Sequence, residues 1–569
     1  MTTEGRLLRG MVLLVVGIGF LAPIAAGVWQ TARAALGVLP AIGATEPGLQ
    51  AFALLAEVPG IGRAIWLSVV TGLGSTLMSL LIAGGVVILA SDRLAGRRGA
   101  RLLAPFLAAP HAAMAIGLAF LLAPSGWIAR GLAPVMGWDR PPDLATVNDP
   151  LGLALMLGLM VKEVPFLLLV MLSALTQVPP RRDLAIGRSL GYGRGMVWVK
   201  VILPQIWPLI RLPLMVVLAY ALSVVDMALI LGPSNPPTLA VLLVRLFSDP
   251  DLARLLPASA GAMLQLGLVV ASFAALWGGE HLLRGLGLIW LRRGRRQGVA
   301  DLLAPRAAGL VALLLMGLGA GAMLSLLVWS MAWRWPWPEI WPESGSLQAW
   351  ARPGSGWGRA LWNTALLAFA TTGLSLMLAI AWLEAEDRAR MARARWAEAL
   401  IYLPLLVPQV SFLFGMNVLL LRLGLSGGMA AVIWGQCLFV FPYVMIALSD
   451  PWRARDRRLD RAAAALGAGP WRRMVAVKLP VLLAPICTAA AIGMAVSVAQ
   501  YLPTLFLGAG RIATLTTEAV TLSSSSDRRV VGVLASLQAV LPWLAYLAAF
   551  LLPALLHRNR RDLRPAHDA

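Results

Sequence analysis

Lysine is almost missing from this chain: Lys162, Lys200 and Lys478 are the three among 48 basic residues, and each follows a valine. A phosphate-cradling P-loop needs Gly-Lys-Ser or Gly-Lys-Thr, so no Walker A motif exists and the chain is read as a non-enzyme. Histidine is equally scarce. His111, His281, His557 and His567 are scattered without ligand spacing, which argues against a membrane metalloenzyme and leaves no metal site to assign. The two cysteines, Cys437 and Cys487, fall in or beside apolar runs, so neither a disulfide framework nor a CxxC site is available. Charge itself is thin. Charged residues make up 13% of the chain against 59% hydrophobic, and the mean hydropathy of +0.78 lies far outside the soluble range.

What the chain has in quantity is apolar sequence of membrane-spanning length. Runs at about 11–29, 64–90, 102–123, 151–175, 209–231 and 258–280 are followed by a second set at about 307–330, 361–383, 398–421, 428–449, 482–507 and 531–556. Twelve spans put both termini on one side. The first run is read as a retained span rather than a cleaved signal peptide, because removing it would leave the two sets unequal. The net charge of +21 does not point to nucleic acid, since the basic residues sit in short segments between the spans. With the termini taken as cytoplasmic, the inner segments (Arg6 and Arg9, Arg93 to Arg101, Arg181 to Lys200, Arg284 to Arg306, Arg388 to Arg395, Arg453 to Lys478, Arg558 to Arg564) hold about 33 of the 48 basic residues. About 13 lie outside and 2, Lys162 and Arg211, within spans, the asymmetry expected of the positive-inside rule.

The two sets repeat one another in detail. Gly62-Arg63-Ala64-Ile65-Trp66 opens the second span and Gly358-Arg359-Ala360-Leu361-Trp362 the eighth. Pro110 precedes Gly117 as Pro408 precedes Gly415, and Val164-Pro165-Phe166 answers Phe441-Pro442-Tyr443. From there the offset stays near 276, pairing Gly191 with Gly467, Pro204 with Pro480, Gly232 with Gly508, and Thr238-Leu239 with Thr514-Leu515. An ordered series of this kind indicates internal duplication, with residues 1–300 and 301–569 as the halves and the basic stretch Arg292 to Arg306 as their linker.

The segments before the fifth and eleventh spans, about 181–204 and 457–480, carry the strongest functional pattern. Ala185-Ile186-Gly187-Arg188-Ser189-Leu190-Gly191 is followed by twelve residues and Pro204; Arg461-Ala462-Ala463-Ala464-Ala465-Leu466-Gly467 is followed by twelve residues and Pro480. Small residues at helical spacing make a short helix with a slim face that can enter a partner's groove, the glycine ends it, and the proline starts the next span. This pattern resembles the EAA loop of ABC importer permeases, in which Glu-Ala-Ala is followed by three residues, a glycine and a later Leu-Pro. Ala185 and Arg461 stand where that family has its acidic residue, with Asp183 and Asp460 nearby.

The resemblance implies an all-α integral membrane protein of the type I ABC importer fold, with about twelve helices in two pseudo-twofold halves, akin to the fused permeases of iron(III) and thiamine importers. It implies coupling helices at about 181–195 and 457–470 that seat in two copies of a cytoplasmic ATPase. Ala185, Gly187, Leu190, Gly191 and Pro204 would serve in one half, and Ala462, Ala463, Leu466, Gly467 and Pro480 in the other. ATP and magnesium would bind that partner, and no cofactor this chain. A periplasmic substrate-binding protein would deliver the solute, the setting being the bacterial inner membrane with its lipid.

Polar residues inside spans are costly and therefore candidates for a transport path. They are Lys162, Glu163 and Asp226 in the first half, and Asn417, Gln436, Gln500 and Tyr501 in the second. The alternative reading of the charges is a structural pair between Lys162 and Asp226, and that of the amides is hydrogen bonding between helices. A tryptophan-rich external segment (Trp333, Trp335, Trp337, Trp341, Trp350, Trp357) reads as an interfacial belt or as contact with a binding protein. A duplicated bundle with intramembrane charges also fits an ion-coupled secondary transporter. The EAA-like loops favour the ABC reading.

Overall fold

The computed structural model describes residues 3–94, 97–298, 301, 303–351, 356–389, 395–524 and 527–558. Of the basic inner segments, Arg390, Arg393, Arg560, Arg561 and Arg564 lie outside these residues. The apolar runs form helices, because in hydrocarbon each backbone N–H and C=O must find its partner within its own segment. Among the described residues ten helices are long and apolar enough to span a bilayer, from Arg9–Ala35 to Arg528–Leu556. An eleventh span is counted if the pair Pro470–Val481 and Leu483–Ala499, bent by 76°, is one crossing.

The difference from twelve uniform spans lies at 398–421. Prolines 404 and 408 cut that run into Arg395–Ile401, Leu403–Leu406 and Val410–Arg422, and the last is a helix of 13 residues. At 1.5 Å per residue it rises only about 20 Å. The first half has the related break, between Arg97–Ala108 and His111–Leu122, with Pro110 at the joint. Proline has no N–H to give and forces the residue before it out of helical geometry, so both interruptions follow from the sequence.

The halves interlock. Ala22–Ala35, in the first span, packs on Val410–Arg422 of the second half, while Ala304–Met331, the opening helix of the second half, packs on His111–Leu122 and Ile61–Leu94 of the first. Both crossings depend on glycine. A Cβ at Gly415 would stand 2.0 Å from the Gly27 carbonyl oxygen, and one at Gly117 would stand 2.3 Å from that of Ala322. Backbones this close can associate through van der Waals contact where the hydrophobic effect gives no help, as between helices in lipid. The repeats consequently share one core, which runs without interruption from Val12 to Ala539.

At the end of the bundle away from the EAA-like loops, Ala332–Arg334 and Ser344–Gly345 pair as a short antiparallel hairpin. The Arg130 guanidinium donates to the carbonyls of Pro336 at 2.7 Å and Glu339 at 2.9 Å, and lies over the rings of Trp335 and Trp337. The tryptophan-rich segment is thus folded down onto the first half, with Trp333 and Trp341 left exposed.

Candidate translocation site and coupling elements

The fifth and eleventh spans are both interrupted at matching points. Leu203–Ser223 stops, Val224 is extended, and Asp226–Leu231 resumes; Leu483–Ala499 stops, Gln500 is extended, and Leu502–Leu507 resumes. Non-helical backbone at membrane depth is tolerated where it is buried in protein or lines a cavity, and discontinuous helices mark substrate sites in other transporter folds. Asp226 sits at the first of these breaks and Gln500 with Tyr501 at the second.

The three intramembrane charges do not pair with one another. Lys162 donates through Nζ to the carbonyl oxygens of Phe106 at 2.7 Å and Ala109 at 2.6 Å, capping the helix that breaks before His111. Glu163, the next residue, accepts from Ser75 at 3.3 Å and Ser79 at 2.9 Å on Ile61–Leu94. Asp226 accepts from the Tyr220 hydroxyl at 3.3 Å. The pairing of Lys162 with Asp226 is therefore corrected: the ammonium is engaged by carbonyls freed at the broken helix, and Asp226 bonds Tyr220 instead.

Around Asp226 the second half contributes aromatic hydroxyls. The Asp226 charge reaches Tyr501, and Tyr443 lies within electrostatic reach of Tyr220. The His111 ring packs on Tyr220 with centroids 4.7 Å apart. Tyr220 thus bonds the buried Asp226 carboxylate, with Tyr501 in electrostatic reach of Asp226 and both Tyr443 and the buried Glu163 carboxylate in reach of Tyr220. Tyr220, Tyr443 and His111 were not among the sequence-derived candidates; the rarity of tyrosine was the available clue. The amides divide. Gln436 accepts from Ser497 and donates to Thr504 at 3.0 Å, tying neighbouring helices, and Asn417 accepts from Ser426 at 2.7 Å away from the tyrosines. Gln500 keeps a buried side-chain oxygen without a hydrogen-bond partner.

The two EAA-like loops fold alike. Pro180–Ser189 and Arg457–Ala465 are short helices that end at Gly191 and Gly467, each with φ of +80°. In each the following N–H reaches back one turn, Tyr192 to the Gly187 oxygen and Ala468 to the Ala463 oxygen, both at 3.0 Å. Such a left-handed stop strongly favours glycine. A π-helical turn then follows in both halves, Trp198–Ile202 and Met474–Lys478, leading to Pro204 and Pro480.

Not every sequence-derived coupling residue faces outward. Leu190 and Leu466, repeat partners, are 59% and 87% exposed, and Ala185 and Ala462 are also exposed. Gly187 instead gives room to Val197, whose methyl would lie 2.3 Å from an added Cβ. Asp183 accepts from Gln205 at 2.9 Å, and Asp460 lies 3.9 Å from Arg473, so both carboxylates are turned onto their own chain.

The supports behind the two elements differ. In the first half the linker folds back: the Asp301 carboxylate accepts from the backbone N–H of Gly195 at 2.6 Å, and Lys200 donates to the Arg295 carbonyl at 2.8 Å. In the second half Lys478, buried in the π turn, bonds Glu384 at 2.6 Å and Asp387 at 3.2 Å, while Arg388 bonds Glu384 at 2.8 Å. Breaking such a buried pair on one side costs about 3–5 kcal/mol, because the other charge stays behind. Each EAA-like loop is therefore fixed to the bundle rather than hung from it.

Interlocked halves, paired broken spans and two glycine-stopped helices at one end of the bundle define a transporter permease, and comparison with known proteins gives the class. Residues 371–561 match the family described as binding-protein-dependent transport system inner membrane component. The chain is 30% identical over 513 residues, 90% of its length, to the inner membrane ABC transporter permease protein YnjC of Escherichia coli strain K12, of which the match covers 92%. The chain belongs to this family of ABC transporter permeases, multi-pass proteins of the inner membrane that work with an ATPase and a substrate-binding protein. That membership sets aside the ion-coupled secondary transporter.

Proposed function

We propose that this chain is a pseudo-dimeric permease of an importer, carrying a small solute from a periplasmic binding protein into the cytoplasm. Two copies of one ATPase subunit dock on Pro180–Ser189 and Arg457–Ala465; they bind the ATP and magnesium, and this chain binds neither. Both termini are cytoplasmic. The observation that carries the reading is the matched pair of short helices, each presenting an exposed leucine beside a left-handed glycine stop. The π turns and the ion pairs behind them pass motion of those helices to the broken fifth and eleventh spans. Solute crosses at the junction where Asp226, Tyr220, Tyr443 and Tyr501 meet. A buried carboxylate beside tyrosine suits a small organic cation, which gains both an ion pair and cation–π contact.

The test is site-specific cross-linking in the assembled complex. Cysteines at Leu190 and Leu466, in a chain lacking Cys437 and Cys487, are expected to cross-link to the ATPase subunit and to change in yield when ATP is added. Absence of cross-links at both sites in a complex that still hydrolyses ATP would overturn the docking assignment.

A further inference from the structure

The first half has a feature whose polar lining is not repeated in the second. Between the fifth span, Leu203–Ser223, and the long helix Leu255–Arg292 lies a cleft of about 220 Å³, lined by Trp207, Arg211, Leu214, Leu276, Trp277 and Glu280. That is several times the ~30 Å³ share of one water. It lies toward the end of the bundle that carries the coupling helices, on the outer flank, where Leu209, Leu212, Trp277, Leu282, Leu283 and Leu286 are exposed to lipid. In the second half Leu483–Ala499 packs directly along Arg528–Leu556. The residues 276 positions after Trp207, Arg211, Trp277 and Glu280 are Leu483, Cys487, Pro553 and Leu556, so the polar cleft is no requirement of the fold.

Its charges are unbalanced. Glu280 is shared by Arg211 at 3.6 Å and Arg284 at 3.2 Å, leaving one net positive charge and two guanidiniums that are 52% and 67% exposed. The Trp207 indole N–H is buried at the same cleft without a hydrogen-bond partner. A polar donor, two arginine forks and tryptophan walls at the head of an apolar groove are complementary to a phosphate ester that continues into an acyl chain. We infer that this cleft is a binding site for one anionic phospholipid, its phosphate on Arg211 and Arg284 and its acyl chain along Leu214 and Leu276. A bound lipid would fill the gap between the two helices and brace the fifth span just beyond its π turn.

The test uses the full-length chain in detergent, titrated with phosphatidylglycerol, phosphatidylcholine or sodium phosphate and read by native mass spectrometry. Phosphatidylglycerol is expected to form a retained one-to-one adduct that phosphatidylcholine does not. Arg211→Gln and Arg284→Gln should each weaken it about fivefold, the effect of one basic residue near an anionic lipid. Cys487→Gln, at the repeat position of Arg211, should leave it unchanged. If either arginine variant elutes as aggregate, Trp277→Ala, which keeps every charge, carries the test and should also weaken the adduct. Equal retention of phosphatidylcholine, an adduct indifferent to these variants, or displacement by sodium phosphate would overturn the assignment, the last pointing to a free-anion pocket.

Discussion

At the scale of single residues, the adjacent charges Lys162 and Glu163 show how neighbours in sequence separate in function. Successive helical residues point about 100° apart, so one of the pair closes a broken helix and the other meets serines on a different span. Replacing Lys162 with Met should strip the carbonyls of Phe106 and Ala109 of their donor. At about 1–3 kcal/mol for each buried group left unsatisfied, thermal unfolding in detergent should show a marked loss of stability. Asp226→Asn keeps the shape and a hydrogen-bond acceptor for Tyr220, so it should fold at the wild-type midpoint and lose transport. Adding Lys162→Met should not rescue it; rescue of both stability and transport by the double change would restore the structural pair and remove Asp226 from the path. The intramembrane charges themselves were legible in the sequence. Their partners were not, because pairing depends on helix rotation and on a proline break whose freed carbonyls no local pattern announces.

At the scale of elements, the EAA-like loops were the most legible part of the chain: small residues, glycine and proline in fixed order translate into a short helix, a left-handed stop and a new span. Two things stayed hidden. Gly187 matches the small face by residue type, yet tertiary packing turns it onto Val197, and the π turns have no sequence mark. The outward face is therefore better tested through Leu466 than through the glycines. Leu466→Glu should leave insertion and expression intact and sharply reduce solute uptake while ATP hydrolysis continues, measured with the complex in proteoliposomes; unchanged uptake would argue against docking at this helix. The linker offers a separate test. Asp301→Ala removes the acceptor for the Gly195 and Met196 N–H groups. Cross-linking at Leu190 should then fall while that at Leu466 is preserved. An equal fall at both would mean that the linker acts on the whole bundle and not on one coupling element.

At the scale of the whole molecule, duplication was plain in the sequence but interlocking was not. The sequence reading puts a boundary between two repeats near 300, yet the opening helix on each side lies against the other side, and the glycine crossings at Gly27 with Gly415 and Ala322 with Gly117 make the exchange reciprocal. Such a frame has one coherent topology, since inverting one half would pull its first helix out of the other's core. The distribution of basic residues predicts which way the frame sits, with the termini and coupling helices cytoplasmic. Ser91 is a poor reporter because it is buried and accepts from Arg194, whereas Arg457 and Leu347 are exposed at opposite ends. In a chain with Cys437 and Cys487 replaced by alanine, a cysteine at Leu347 should react with a membrane-impermeant maleimide on intact spheroplasts. One at Arg457 should react only after the membrane is opened. With both labelled from outside, or the pattern reversed, the cytoplasmic placement of the coupling helices would fail, and with it the import direction that rests on them.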